Sequence, residues 1–93
     1  MTYILVFYDV SNDAKRLKLA DTLKALGLTR IQRSVFMGLG GQARAKEVAR
    51  AAKMIVDEGD SVVVVLVPAD YVKKMIIVGP LWENPFKEKI III

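Results

Sequence analysis

The sequence predicts an α/β sandwich, with two helices on one face of an antiparallel or mixed sheet. Three observations carry this prediction. Strand-like and helix-like stretches alternate along a chain of only 93 residues. The strand-like stretches are rich in β-branched and aromatic residues. The helix-like stretches repeat apolar residues at helical spacing.

Thr2 to Asp9 (TYILVFYD) reads as the first strand. Tyr3, Leu5 and Phe7 share one face, and Ile4, Val6 and Tyr8 the other. Both faces are apolar, as in a central strand covered on both sides. Ser11 or Asn12 can cap the helix that follows, and Asp13 suits its first turn. That helix runs from Ala14 to Leu26, with Leu19, Ala20, Leu23 and Leu26 on one stripe, and Gly27 occupies a left-handed C-cap position.

Arg30 to Met37 alternates polar and apolar residues and reads as one long or bent strand, and Gly38-Leu39-Gly40-Gly41 reads as a loop. Gln42 to Glu58 reads as an amphipathic helix. Ala45, Val48, Ala49, Ala52, Ile55 and Val56 line its inner side, and Gly59 stops it. Ser61 to Val67 (SVVVVLV) is continuously apolar, which predicts a strand buried on both faces. A turn begins at Pro68. Met75 to Val78 reads as a short strand, Leu81 to Phe86 as irregular, and Lys87 to Ile93 as a terminal strand. Four isoleucines at a chain end would recruit other chains if left exposed. They call for a sheet edge, their own or that of a partner in a homodimer.

The length allows one domain, which buries only about two-thirds of its unfolded surface. Yet 54% of residues are hydrophobic, which points to surface covered by a partner. No stretch approaches the roughly 18 apolar residues of a membrane span, so a soluble cytoplasmic protein with no membrane association is expected.

With no cysteine and no histidine, the chain can form no disulfide, no Cys/His zinc site and no Ser–His–Asp or Cys–His catalytic group. Proton transfer or metal binding must use carboxylates, Lys, Tyr, backbone or water. The net charge is +4, unevenly spread. Residues 1–53 hold ten basic and four acidic residues, and residues 54–93 hold four and six. The basic groups include Lys15, Arg16 and Lys18 on the first helix, Arg30 and Arg33 on the second strand, and Arg44, Lys46, Arg50 and Lys53 on the second helix. Basic residues beside strand aromatics suit nucleic-acid backbone contact. Charged helix faces are also ordinarily just solvated.

Asp9, at the C-terminal end of the first strand, is the candidate acid, although such an Asp can equally shape a turn. One carboxylate is a poor metal site, because Mg²⁺ is usually held by one or two carboxylates plus phosphates and waters. Two copies of Asp9 near a two-fold axis would supply a pair.

Tyr8-Asp9-Val10-Ser11, Arg16 seven residues after Asp9, and the stretch Gly27 to Phe36 (GLTRIQRSVF) together resemble the CRISPR-associated protein 2 family. The resemblance is close over residues 1–40 and beyond that rests on element order and length. It implies a ferredoxin-like βαββαβ sandwich over residues 1–93, with an additional C-terminal strand, 87–93, packing across a homodimer. A hairpin is then expected between the helices, which a sharp bend in the Leu28 to Leu39 stretch would provide. The resemblance also implies that Asp9 is a catalytic, Mg²⁺- or Mn²⁺-associated residue of a proposed nuclease site, with Tyr8 beside it. Arg16, Arg30 and Phe36 fall where the family's residues affect nucleic-acid binding or cleavage. Lys18 stands at a second basic position, keeping charge but losing bidentate phosphate geometry. Tyr8, Phe36, Arg30 and Arg33 each have a plain alternative, the first two as core and the arginines as solvated edge charges.

The function implied is that of a CRISPR adaptation protein, a metal-dependent endonuclease on single-stranded RNA or double-stranded DNA that acts with the CRISPR integrase. The alternative within the family is a non-catalytic, DNA-binding dimeric scaffold of the spacer-integration complex. Outside it stands a small ferredoxin-like RNA-binding or regulatory module. No RNA-recognition aromatic strand is present, an iron–sulfur ferredoxin is excluded by the lack of cysteine, and the glycine-rich phosphate loop of an acylphosphatase-like enzyme is missing before Arg33.

Overall fold

The computed structural model describes residues 1–93. Its elements run β1 (Thr2–Asp9), α1 (Asp13–Ala25), β2 (Thr29–Gln32), β3 (Val35–Leu39), α2 (Gln42–Lys53), β4 (Ser61–Pro68), α3 (Ala69–Val72), β5 (Ile76–Ile77) and β6 (Ile91–Ile92). The first four strands form an antiparallel sheet in the order β2-β3-β1-β4. With α1 and α2 on one face, this is the ferredoxin-like βαββαβ sandwich.

The core beneath the helices joins Ile4, Val6 and Tyr8 of β1 to Leu19, Ala20 and Leu23 of α1, Val48 and Ala52 of α2, and Phe36 of β3. Alternation along β1 puts Tyr3, Leu5, Phe7 and Asp9 on the opposite face. The N-terminal part of that face is covered by the chain's last quarter. Tyr3, Ile31 and Met37 pack with Ala69 and Val72, flanked by Met75, Leu81, Phe86 and Ile90. The Tyr3 hydroxyl donates to the Glu88 carboxylate and accepts from the Lys87 amide at 3.0 Å.

Several expectations are corrected. The single strand over Arg30 to Met37 is a hairpin. It turns at Arg33-Ser34, and an irregularity between Arg30 and Gln32 shifts the β2–β3 register. Gly38 and Leu39 belong to β3 rather than to a loop. Gly38 is required there, because a Cβ would lie 2.8 Å from the Leu28 side chain and 2.9 Å from the Gly27 carbonyl. α2 ends at Lys53, not Glu58, as the Ile55 and Val56 amides both bond to the Ala52 carbonyl and tighten the chain into a turn. Ile55 is buried all the same, so its place in the helical pattern reflects packing rather than helix.

β4 is not buried on both faces. It is an edge strand paired only with β1, and none of its residues is fully buried. Continuous apolar sequence cannot distinguish a strand covered by its own chain from one that awaits a neighbour. The terminal isoleucines do find an edge within the chain. Ile91 and Ile92 pair in parallel with Ile76 and Ile77, so the terminal strand spans two residues rather than 87–93. No helix is long and apolar enough to cross a membrane.

Candidate nucleic-acid interface and strand-end carboxylate

The site begins where β1 gives way to α1. Asn12 caps α1, its side chain accepting from the Lys15 amide at 2.9 Å. Arg16, in the first turn, reaches back. Its Nη1 donates to the carbonyls of Val10 at 3.1 Å and Ser11 at 3.4 Å, and its Nη2 pairs with Asp13. From the other side, Asp60 Oδ1 accepts from the Ser11 amide at 3.2 Å and hydroxyl at 3.4 Å, while Oδ2 accepts from the Asp57 amide at 2.9 Å. The Asp57 amide, and then the two Ser11 donors, hold the Asp60 carboxyl below its ordinary range. The two residues following Asp9 are thereby gripped by an arginine on their carbonyls and an aspartate on an amide and hydroxyl.

Asp9 itself is exposed, opposite Ser61 in the β1–β4 ladder. It takes part in none of the chain's ion pairs. Period-two alternation aims it away from the helices, toward the sheet face that carries Phe7 and Val63, each 40% exposed. No group of three or more carboxylates gathers in the chain to hold a metal. One chain supplies a single hard-oxygen ligand at this place and needs a second copy for a pair.

Tyr8 lies on the opposite face from its neighbour. It is buried, and its ring stacks on Phe36 with centroids 6.2 Å apart and planes at 26°. Its hydroxyl makes no hydrogen bond of good geometry, although the Arg30 side chain lies near enough to act on it. Burial pushes the phenol above its ordinary value, against the lowering pull of the Arg30 and Arg16 charges. Phe36 is fully buried, so its ring belongs to the core and presents no surface to solvent.

Arg30 closes the β2–β3 hairpin. Its Nε and Nη2 donate to the Arg33 carbonyl at 3.0 and 2.6 Å. The guanidinium lies 5.7 Å from the Phe36 ring centroid and 4.6 Å from that of Trp82, within cation–π range of both. Trp82 is held at this edge by its amide, which donates to the Ile31 carbonyl at 3.1 Å. Arg16, Arg30 and Arg33 converge with Asp13 and Trp82 around an open cavity of about 240 Å³. Arg33 is exposed and, unlike the other two, has no hydrogen bond or ion pair for its side chain. It carries the uncommitted charge of the cluster.

The structure thus brings Tyr8, Arg16, Arg30, Arg33 and Phe36 to one corner, and sets Asp9 on the other face of the same strand end. Lys18 stands apart on the outer side of α1, beside Asp21. Among the other basic groups, Lys15 pairs with Asp57 and Arg44 with Glu47. Trp82 and Asp60 escape sequence reasoning, because each acts on a residue about fifty positions away. The only hint of Trp82 is that a tryptophan stands in an otherwise irregular segment.

Residues 1–75 match the family model for CRISPR associated protein Cas2. A relative from Aeropyrum pernix, named CRISPR-associated endoribonuclease Cas2, is 45% identical over 74 residues, covering 78% of this chain and 80% of that one. A Thermoproteus tenax protein named CRISPR-associated endonuclease Cas1/endonuclease Cas2 fusion is 47% identical over 47 residues, covering 50% of this chain and 18% of the fusion. Among solved structures, a crystal structure of Cas2 matches with a TM-score of 0.63 and 36% identity, over 72% of this chain and 75% of that one.

Proposed function

The chain belongs to the CRISPR-associated protein Cas2 family, and on that premise we propose that it is a homodimeric, metal-dependent endonuclease of CRISPR adaptation. Its substrates are single-stranded RNA or double-stranded DNA, met in the cytoplasm. The observation that carries this reading is the placement of Asp9, exposed and unpaired, on the same sheet face as the uncovered Phe7 and Val63. A second copy stacked on that apolar face buries it and brings two Asp9 carboxylates to one interface.

The donor set suits Mg²⁺ or Mn²⁺, hard cations that take carboxylate and water oxygens. The two Asp9 side chains would hold the ion, which when bound supplies an activated water and neutralises phosphate charge. The chain's own residues do the rest. Arg33 offers free donors to a phosphodiester. Arg16 and Asp60 fix the backbone behind Asp9, and Arg30 fixes the hairpin that presents Arg33.

The test is cleavage of labelled single-stranded RNA and duplex DNA with and without Mg²⁺ by the wild type and by Asp9→Ala. Loss of metal-dependent cleavage in Asp9→Ala supports the site. Full retention sinks it.

A second reading has its own support in the Thermoproteus tenax relative, named as a fusion with Cas1. Here the dimer is a DNA-binding scaffold that bridges integrase subunits of the Cas1 kind, and Asp9 is dispensable. Spacer integration measured with purified Cas1 separates the two readings. A scaffold retains integration in Asp9→Ala.

A further inference from the structure

Trp82 is 59% exposed, yet it is not loose. Its amide is tied to the Ile31 carbonyl at 3.1 Å and one face of its ring is covered by the Arg30 guanidinium at 4.6 Å. Three of the six other residues around it are arginines, against one acid. It shares the 240 Å³ cavity with Arg16, Arg30 and Arg33, where Asp13 engages Arg16 and leaves Arg33 free. An indole held rigid at the rim of an arginine pocket has an apolar face to offer and phosphate donors beside it.

We infer that Trp82 is a base-stacking platform for single-stranded nucleic acid, the base of an unpaired nucleotide lying on the indole while its phosphate sits on Arg33. Bases inside a duplex have both faces covered by their neighbours, so only an unpaired strand can use the platform. Arg30 behind the ring pre-orients it and adds positive charge under the stacked pair, at no ordering cost on binding. This inference rests on the nucleic-acid reading given above, whose substrates it narrows at this corner to single strands.

Trp82 is the chain's only tryptophan, so its fluorescence reports the platform directly. The wild-type protein, without added metal, is titrated with a single-stranded oligonucleotide and with relaxed circular duplex DNA, which has no ends to stack. Filter binding gives the affinities. Quenching by the single strand alone is expected. Stacking is worth about 1–3 kcal/mol per base, so Trp82→Ala weakens single-strand binding by about 5- to 150-fold. Trp82→Phe restores most of that loss, while Trp82→Leu, which keeps bulk without an aromatic face, does not. Duplex affinity stays unchanged in all three, and Arg33→Ala lowers binding of both ligands. Equal quenching by circular duplex overturns the platform. So does single-strand affinity that Trp82→Ala leaves unchanged while Arg33→Ala reduces it, an outcome that spares the nucleic-acid reading itself. A wild type that binds neither ligand overturns both.

Discussion

Asp9 and Ser61 face each other across the β1–β4 ladder, at its last pair and on the sheet face that the helices do not cover. Both are exposed, and neither carries a charge partner that folding requires. Exposed substitutions away from caps and networks usually change stability by less than about 0.5 kcal/mol. Asp9→Asn is therefore expected to leave the denaturant midpoint unchanged while abolishing metal-dependent cleavage. Chemical denaturation run beside the cleavage assay checks this. A large fall in stability would mean that Asp9 holds the turn together and that its loss cannot be read as catalytic.

Tyr8 is the mirror case, a neighbour of Asp9 that is buried with its hydroxyl beside Arg30 but in no hydrogen bond of good geometry. A buried polar group without a partner costs about 1–3 kcal/mol. Tyr8→Phe keeps the stack on Phe36 and removes that cost, so it is expected to be stabilising by about 1 kcal/mol. The pH dependence has a definite sign. The folded phenol lies above its ordinary value of 10.0, so the folded state favours the neutral form. That stability is fully present below about pH 10 and is lost as pH rises through the folded value. Tyr3, raised chiefly by burial, shares this alkaline loss. Tyr8→Phe should shrink the loss without abolishing it, as followed by circular dichroism between pH 8 and 12.

Much of this was legible in the sequence because β1 and the two helices are governed by their own periodicity. Asn12 at the cap, the Leu19-Ala20-Leu23 stripe and the inward set Ile4-Val6-Tyr8 are local facts, decided by residue type and spacing. The hairpin was obscured because Arg33 and Ser34 are not strong turn residues and the register shift beside Arg30 lets polar–apolar alternation run on through the bend. The position of Asp9 at the end of β1 was legible from strand length. Its separation from Tyr8 follows from alternation. The Arg30–Trp82 contact was not legible, since nothing local to either residue specifies it. It exists because Trp82 is bonded to the outer edge of β2 by its backbone amide, and any residue type but proline at 82 could make that bond.

The Tyr3 hydroxyl ties the C-terminal segment to the sheet through Glu88 and the Lys87 amide, with Phe86 packed 5.7 Å from the Tyr3 ring. Hydrogen bonds to charged groups contribute about 1.5–3 kcal/mol. Tyr3→Phe retains the ring contact and loses both bonds. The segment from 84 to 93 should open locally more often than the rest of the molecule. Limited trypsin digestion reads this as faster cleavage after Lys87 and Lys89, with the sheet itself intact by circular dichroism. Unchanged cleavage would show that apolar packing of Phe86 and Ile90 suffices to hold the segment.

The proposed dimer makes the last prediction. Phe7, Val63 and Val65 form an exposed apolar strip on β1 and β4, with Val65 37% exposed, and β4 leaves an unpaired edge beside it. A soluble protein seldom leaves such an edge open, because it recruits other chains. A standard interface removes about 800 Å² per partner, a modest share of the chain's 5958 Å² of accessible surface. Val63→Glu places a carboxylate in the strip. In a monomer it would be solvated, with a stability change within about 0.5 kcal/mol. In the dimer two such charges would face an apolar surface without partners, which costs several kcal/mol. Sedimentation velocity should therefore show the wild type as a dimer and Val63→Glu as a folded monomer. Metal-dependent cleavage should be lost with the dimer although Asp9 is untouched, because a single carboxylate remains. A Val63→Glu protein that sediments as the wild type does would remove this face as the interface, and with it the pairing of Asp9.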